Sequence, residues 1–290
     1  MPEATPTPAE DLRQWSAVLT SERPWFDLRL REVWAYRDLI YLFFKRDFVT
    51  SYKQTILGPF WFFAQPFLTT VVFYVVFGRI GKIVTPGVPQ FLFFMSGIIL
   101  WQFFSQCLIK TATTLSSNAA IFGKVYFPRL TVPLSVTMVQ GLTFAIQFVF
   151  FLGFFFVAWR YGVPVHPNWR VIVMPLLLVQ MAALALGLGC IVAALTVRFR
   201  DFAYVVQFGV QLAMYASCVV FPLESIPADK RIFFLLNPMV PIIEGFRYAF
   251  IGYGAIEFWH LAMSAGISGA VLIIGIVMFR HVEKTFLDTI

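Results

Sequence analysis

The sequence predicts an all-α integral membrane protein with six transmembrane helices, and two observations carry the prediction. Six runs free of Asp, Glu, Lys and Arg divide the chain. Each has at least about 20 residues, enough for a helix to cross a ~30 Å hydrocarbon core at 1.5 Å rise per residue. Composition agrees: of 290 residues 59% are hydrophobic and 13% charged, with 35 Phe and a mean hydropathy of +0.78. A soluble globule keeps about 25% charged residues to cover its surface. These figures exclude a disordered chain, a disulfide scaffold and a soluble nucleic-acid binder. The net charge of +7 reads instead as a topology signal.

Taken in order, residues 1–24 read as a flexible tail. Met1–Glu10 is Pro-rich and slightly acidic, without the basic and apolar regions of a cleaved signal peptide. Residues 25–53 read as an amphipathic helix lying in the membrane interface. Arg31, Asp38 and Lys45 stack seven apart on one face with Lys53 beside them, and Val33, Tyr36, Ile40, Phe43 and Phe44 occupy the other. Arg37 and Asp47 interrupt the pattern, and both a passive anchor and a gate fit it, with Tyr52 at its exit.

Residues 54–280 form the transmembrane domain, with spans at about 57–78, 86–109, 131–157, 171–196, 203–222 and 259–279. Between the fifth and sixth spans, residues 230–256 hold two apolar stretches too short to cross. Pro238 and Pro241 break them and Glu244 and Arg247 separate them, which suits a short re-entrant helix pair; an amphipathic surface loop fits as well. Residues 281–290 form a tail. Fifteen Lys and Arg fall on the side of the termini and seven on the other, which places both termini in the cytoplasm. Cys107, Cys190 and Cys218 lie in apolar runs, so no disulfide is expected.

The missing chemistry narrows the function. Coupled carriers need an ionisable group within a span, and the six runs have none. His166, His260 and His281 are scattered without companions at ligand spacing, so no catalytic residue, metal or cofactor is expected on this chain. No phosphate-binding Gly-x-x-x-x-Gly-Lys-[Ser/Thr] motif occurs. Energised transport would therefore need a second polypeptide, whereas a self-contained channel or facilitator would not.

Two further patterns invite roles. The loop at residues 116–129 carries Ser117 and Asn118 as candidate caps, Gly123 as a stop, and the apolar side chains Ile121, Phe122, Tyr126 and Phe127 around Lys124 and Pro128. Such a patch suits a partner protein or burial among headgroups. Phe60, Phe63, Phe67, Thr70, Tyr74 and Phe77 form a stripe on the first span, and Tyr204, Phe208, Gln211, Tyr215 and Cys218 form one on the fifth. Gln102 and Gln106 make a polar pair on the second. Rings interleaved with neutral polar groups suit helix packing, or sugars that stack on rings and bond to amides.

Four segments carry a family resemblance. Ser51-Tyr52-Lys53-Gln54-Thr55-Ile56-Leu57-Gly58-Pro59-Phe60-Trp61 opens the first span, and Phe94-Met95-Ser96-Gly97-Ile98-Ile99-Leu100-Trp101-Gln102-Phe103-Phe104 lies in the second. Asn237-Pro238-Met239 and Glu244-Gly245-Phe246-Arg247-Tyr248 stand between the fifth and sixth spans. Together with the loop from Asn118 to Pro128 they resemble the permease subunit of type-two ABC polysaccharide exporters, over about residues 28–280. The resemblance implies a homodimer in the bacterial inner membrane with two separate P-loop ATPase subunits that hold ATP and Mg. It implies export of a lipid-linked O-antigen or similar glycan through a channel at the dimer centre, lined by first and fifth spans. Residues 119–127 would form the coupling helix on the ATPase. Exporters of teichoic acid, capsule or drugs share the layout.

Overall fold

The computed structural model describes residues 30–53, 56, 58–83, 85, 87–199, 201–254 and 257–285. The tail at 1–24, the start of the interface helix and residues 286–290 lie outside them. The described chain is helical: α1 Leu30–Ala35, α2 Arg37–Tyr52, α3 Trp61–Phe73, α4 Gln90–Ala112, α5 Thr114–Ser117 and α6 Ala119–Phe122 come first. They are followed by α7 Thr131–Arg160, α8 Met174–Arg198, α9 Phe202–Tyr215, α10 Ala228–Leu235, α11 Met239–Ile251 and α12 Phe258–Thr285. Among the described residues, five helical segments are long and apolar enough to cross a membrane: Gly58–Ile80, Gln90–Ala112, Thr131–Arg160, Trp169–Arg198 and Phe258–Glu283.

Over the expected fifth span, 203–222, the chain forms a further, shorter apolar helix: α9 covers 14 residues, about 21 Å at 1.5 Å per residue. The chain then turns through residues 216–221, with Cys218 in the left-handed region at φ 54°. The interface helix is also interrupted, because Tyr36 separates α1 from α2.

Long helices run between two ends of the bundle. One end carries α1, α2, α5 and α6 and is called the loop end; the other carries α10 and α11 and is called the hairpin end. Residues α4 shares with α8 and α7 form the main core, with Phe93, Phe144, Phe151, Met181, Phe246 and Phe250 among its buried side chains. α8 and α12 lie close enough that a Cβ at Gly187 would stand 2.7 Å from Leu272 Cα. A Cβ at Gly275 would collide with the Gly187 carbonyl oxygen. Small residues let backbones approach where lipid offers no hydrophobic drive between helices. Ser264 fastens the same layer: it donates to Pro238 O at 2.7 Å and accepts from Gln180 at 2.6 Å.

Two breaks in the helical ladder are repaired by long polar side chains. Pro66 inside α3 has no N–H for the carbonyl of Phe62. Gln147 of α7 supplies it, its Nε2 donating to Phe62 O at 3.2 Å and also to Gln102 Oε1 at 3.2 Å. The larger repair belongs to Arg247, which is fully buried. Its Nη1 donates to Cys218 O at 2.7 Å and to Glu244 Oε1 at 3.0 Å. Its Nη2 donates to Val219 O at 2.9 Å and Phe93 O at 3.3 Å, and its guanidinium sits 3.6 Å from the centre of the Phe93 ring. Gly97 leaves room for this, since a Cβ there would lie 2.7 Å from Nη2.

Arg247→Met would leave the Glu244 carboxylate buried alone and three carbonyls short of a donor. Removing one partner of a buried pair costs about 3–5 kcal/mol, so a large fall in melting temperature in detergent is expected. Arg247→Lys keeps the charge but has three donors in place of a planar fork of five, and should fall between. Wild-type melting of Arg247→Met would remove this pair from the account of stability.

Candidate functional site

Two aromatic stripes end in different environments. Phe63 of α3 stacks on Phe150 of α7 with ring centres 4.2 Å apart, and Phe67 stacks on Phe154 at 5.8 Å. Thr70 is buried and donates to Pro66 O at 2.7 Å. Tyr74 opens a π-helical turn, Tyr74–Ile80, and meets Phe91 and the Arg79 guanidinium. Phe60 stays largely exposed. Within one chain the first stripe therefore packs on α7 instead of forming an open lining, because α7 offers its own phenylalanines one turn apart.

The second stripe is open. Tyr204, Phe208 and Tyr215 of α9 are 46–76% exposed, and Gln211 between them is exposed too. Cys218 leaves the stripe: it is buried in the turn beyond α9. Rings and an amide on one exposed helix face give stacking surfaces plus a donor and an acceptor, with no charge.

At the loop end the expected exposed patch divides. Phe122 and Phe127 are 5% exposed and pack on each other with ring centres 5.5 Å apart. Phe127 also meets Phe43 of α2 at 5.6 Å, and Leu115, Leu130 and Ile276 complete this cluster. Ile121 packs at its margin and Pro128 is buried. The two phenylalanines are thus a core and not a surface. Arg129 covers the ring of Phe122 at 5.3 Å and ties the loop to α12, its Nη1 donating to Glu283 O at 2.8 Å. Burial pushes the Arg129 pKa down and the Glu283 carboxylate pulls it back.

Lys124, Val125 and Tyr126 remain on the surface, the last 59% exposed. Asn118 caps no N–H with its side chain; its Nδ2 donates backwards to Thr114 O at 3.0 Å. Gly123 does end α6, in right-handed geometry.

The interface helix docks on this cluster. Val33 and Phe43 are buried, with Tyr36, Leu39 and Ile40 beside them. Arg31, Arg37, Lys45 and Lys53 are exposed, and Tyr52 packs edge-on to Phe48. Trp34, Tyr41 and Leu42 form a second, exposed apolar stripe. One apolar side thus faces the protein and another faces outward, which explains why Arg37 and Asp47 disturbed a single-stripe pattern.

Glu244 and Arg247 escaped sequence reasoning as a structural pair, although two opposite charges three residues apart within an apolar stretch are a readable signal.

With this geometry described, similarity to known proteins becomes informative. Residues 38–251 match the ABC-2 type transporter family, and the chain belongs to that family. It is a multi-pass membrane permease. It is 26% identical over 252 residues to the O-antigen export system permease protein RfbA of Klebsiella pneumoniae, covering 87% of this chain and 94% of that one. The RfbA of Myxococcus xanthus is 26% identical over 265 residues, covering 90% and 98%. The polysialic acid transport protein KpsM of Escherichia coli is 23% identical, covering 85% and 94%.

Truncation separates the two halves of the loop. Phe122→Ala and Phe127→Ala should each destabilise the chain by about 3–5 kcal/mol, as buried Phe→Ala changes do. Tyr126→Ala should stay within about 0.5 kcal/mol of wild type. Thermal unfolding in detergent checks both; equal effects would mean that the rings are not buried in solution.

Proposed function

We propose that this chain is the transmembrane subunit of an ATP-driven exporter that moves a lipid-linked O-antigen or similar polysaccharide across the bacterial inner membrane. Two copies would enclose the channel, and two separate P-loop ATPases would hold ATP and Mg and bind the loop end. The observation that carries the reading is the alignment of nearly the whole chain with permeases named for O-antigen export. The open face of α9 supports it, because a glycan chain needs ring faces and neutral hydrogen-bonding groups in preference to fixed charge. The excess of Lys and Arg on the loop-end side supports a cytoplasmic loop end. Capsule polysaccharide is the second reading, supported by the likeness to KpsM.

The coupling contact would be the exposed part of the loop, Lys124, Val125 and Tyr126, presented by the buried Phe122 and Phe127. Asn118 and Ile121 would hold α6 in place behind it. The α9 face would line the channel opposite its copy, with Phe60 just before α3 and Tyr74 just after it contributing from the first stripe. The interface helix would sit at the entrance with Arg31 and Lys45 toward anionic headgroups.

The test has two parts. Deletion of the gene should abolish the surface glycan, and the chain should co-purify with an ATPase whose hydrolysis it stimulates. A Tyr204→Ala/Tyr215→Ala chain should fold normally yet export several-fold less glycan, since aromatic contacts contribute about 1 kcal/mol each. Lys124→Glu with Tyr126→Ala should weaken ATPase binding. A deletion strain with an unchanged surface glycan and no associated ATPase would instead favour a self-contained channel.

A further inference from the structure

A polar cleft of about 360 Å³ opens between the end of α2, the start of α3, the second half of α4 and the first half of α7. It would hold about a dozen waters at ~30 Å³ each, and it reaches the lower range of small-molecule sites. Trp61, Phe62, Phe103 and Phe144 form apolar walls. Gln65, Gln102, Gln106, Gln140, Gln147 and Lys110 also line it.

Structural duties account for only part of this polar set. Gln147 repairs the Phe62 carbonyl and bonds to Gln102 Oε1. Among the described residues, the Gln102 amide nitrogen, both ends of Gln106 and Gln140, and the Lys110 ammonium make no hydrogen bond or ion pair with the chain. Gln140 is only 4% exposed as a residue, and its amide, without a hydrogen-bond partner among the described residues, opens to the cleft it lines. Asp47, the carboxylate that acts on Lys110 from nearby, is itself held by Arg46 at 2.7 Å. Amides without a protein partner present both donors and acceptors, so the cleft fits an occupant that carries both. One ammonium among neutral amides fits a single phosphate charge flanked by hydroxyls.

The outer face of α3 supplies the rest of such a ligand's path. Trp61, Gln65, Leu68 and Val72 are exposed at 4-3-4 spacing, so one stripe leads from the mouth of the cleft toward the middle of the span. An acyl chain laid on Leu68 and Val72 would bring its headgroup to Gln65 and the amides behind it. We propose that this cleft binds the anionic, hydroxyl-bearing phosphate headgroup of a lipid from the loop-end leaflet. Gln106 and Gln140 bond its hydroxyl and phosphate oxygens, and Lys110 pairs with its charge. The residues lining the cleft lie apart from the α9 face.

The experiment places the full-length chain in phosphatidylcholine nanodiscs carrying a minor fraction of phosphatidylglycerol, then reads retained lipid by native mass spectrometry. Wild type should enrich phosphatidylglycerol over the bulk ratio by roughly tenfold, the ratio set by a difference of about 1.4 kcal/mol. Lys110→Gln, an exposed change that should spare the fold, should abolish the preference while Lys110→Arg keeps it. Gln106→Leu/Gln140→Leu should cut retention of either lipid in a chain with wild-type melting. Protein from cells that make the surface glycan and from cells that do not separates the two sources of such a headgroup. Phosphatidylglycerol retained from both identifies the bilayer, and a glycan-bearing lipid retained from the first alone identifies the lipid-linked glycan. No enrichment of any phosphate-bearing lipid, or the same enrichment in Lys110→Gln, overturns the proposal and leaves a water-filled cleft. The readout needs neither ATPase nor transport, so it stands or falls separately from the export assignment.

Discussion

The fold depends on how Arg247 is satisfied. A helix that stops inside a bundle of apolar helices leaves carbonyls with no water to turn to. α9 stops at Tyr215, and the turn after it would be prohibitively costly if Cys218 and Val219 kept bare carbonyls. A guanidinium is the one side chain with enough donors in a plane to serve that turn, a carboxylate and α4 at once. The desolvation cost of the charge is offset by Glu244 at 3.0 Å and by the face of Phe93. Asn237 finishes the same junction from the other side, its Nδ2 donating to Ser217 Oγ at 2.9 Å. The break in α9, the placement of α11 and the glycine at position 97 are therefore one constraint seen from three elements.

Most of the fold was legible in the sequence because apolar runs bounded by charge are a one-dimensional signal. The spans read at 86–109, 131–157, 171–196 and 259–279 become α4, α7, α8 and α12 almost as read. What the runs could not show is where a helix ends inside an apolar stretch: residues 216–221 are as apolar as those before them, and the stop is made by Arg247, some 30 residues later. The loop was misread for a related reason. Phe122 and Phe127 look like exposed rings beside Lys124 and Arg129, yet α2 arrives from more than 70 residues earlier to cover them. Exposure is a tertiary quantity, and a loop's own composition does not contain it.

The two stripes teach the same lesson about a candidate channel. They have equal spacing and similar residue types, but Phe63 and Phe67 are met by Phe150 and Phe154, while Tyr204, Phe208 and Tyr215 stay exposed among the described residues. Spacing identifies a helix face; only the neighbouring helix decides whether that face is core or opening. The π-helical turn at Tyr74–Ile80 sharpens the difference, because it rotates the end of the first stripe away from the register set by Phe60 and Phe63.

Hydrogen-bond bookkeeping then separates structural polar groups from those free for function. Three orphan carbonyl sites each receive one long side chain from a distant helix or loop: Gln147 to Phe62, Arg247 to Cys218 and Val219, and Arg129 to Glu283. Each is explained by the backbone it completes, so none needs a ligand. The same accounting leaves Gln106, Gln140 and Lys110 with no backbone to complete among the described residues. Two of these three face a cleft from adjacent turns of α4 and the third faces it from α7. A group placed to complete the fold would have a carbonyl in front of it; these three face a cleft instead, so their donors and acceptors are left to an external hydrogen-bonding partner or to water.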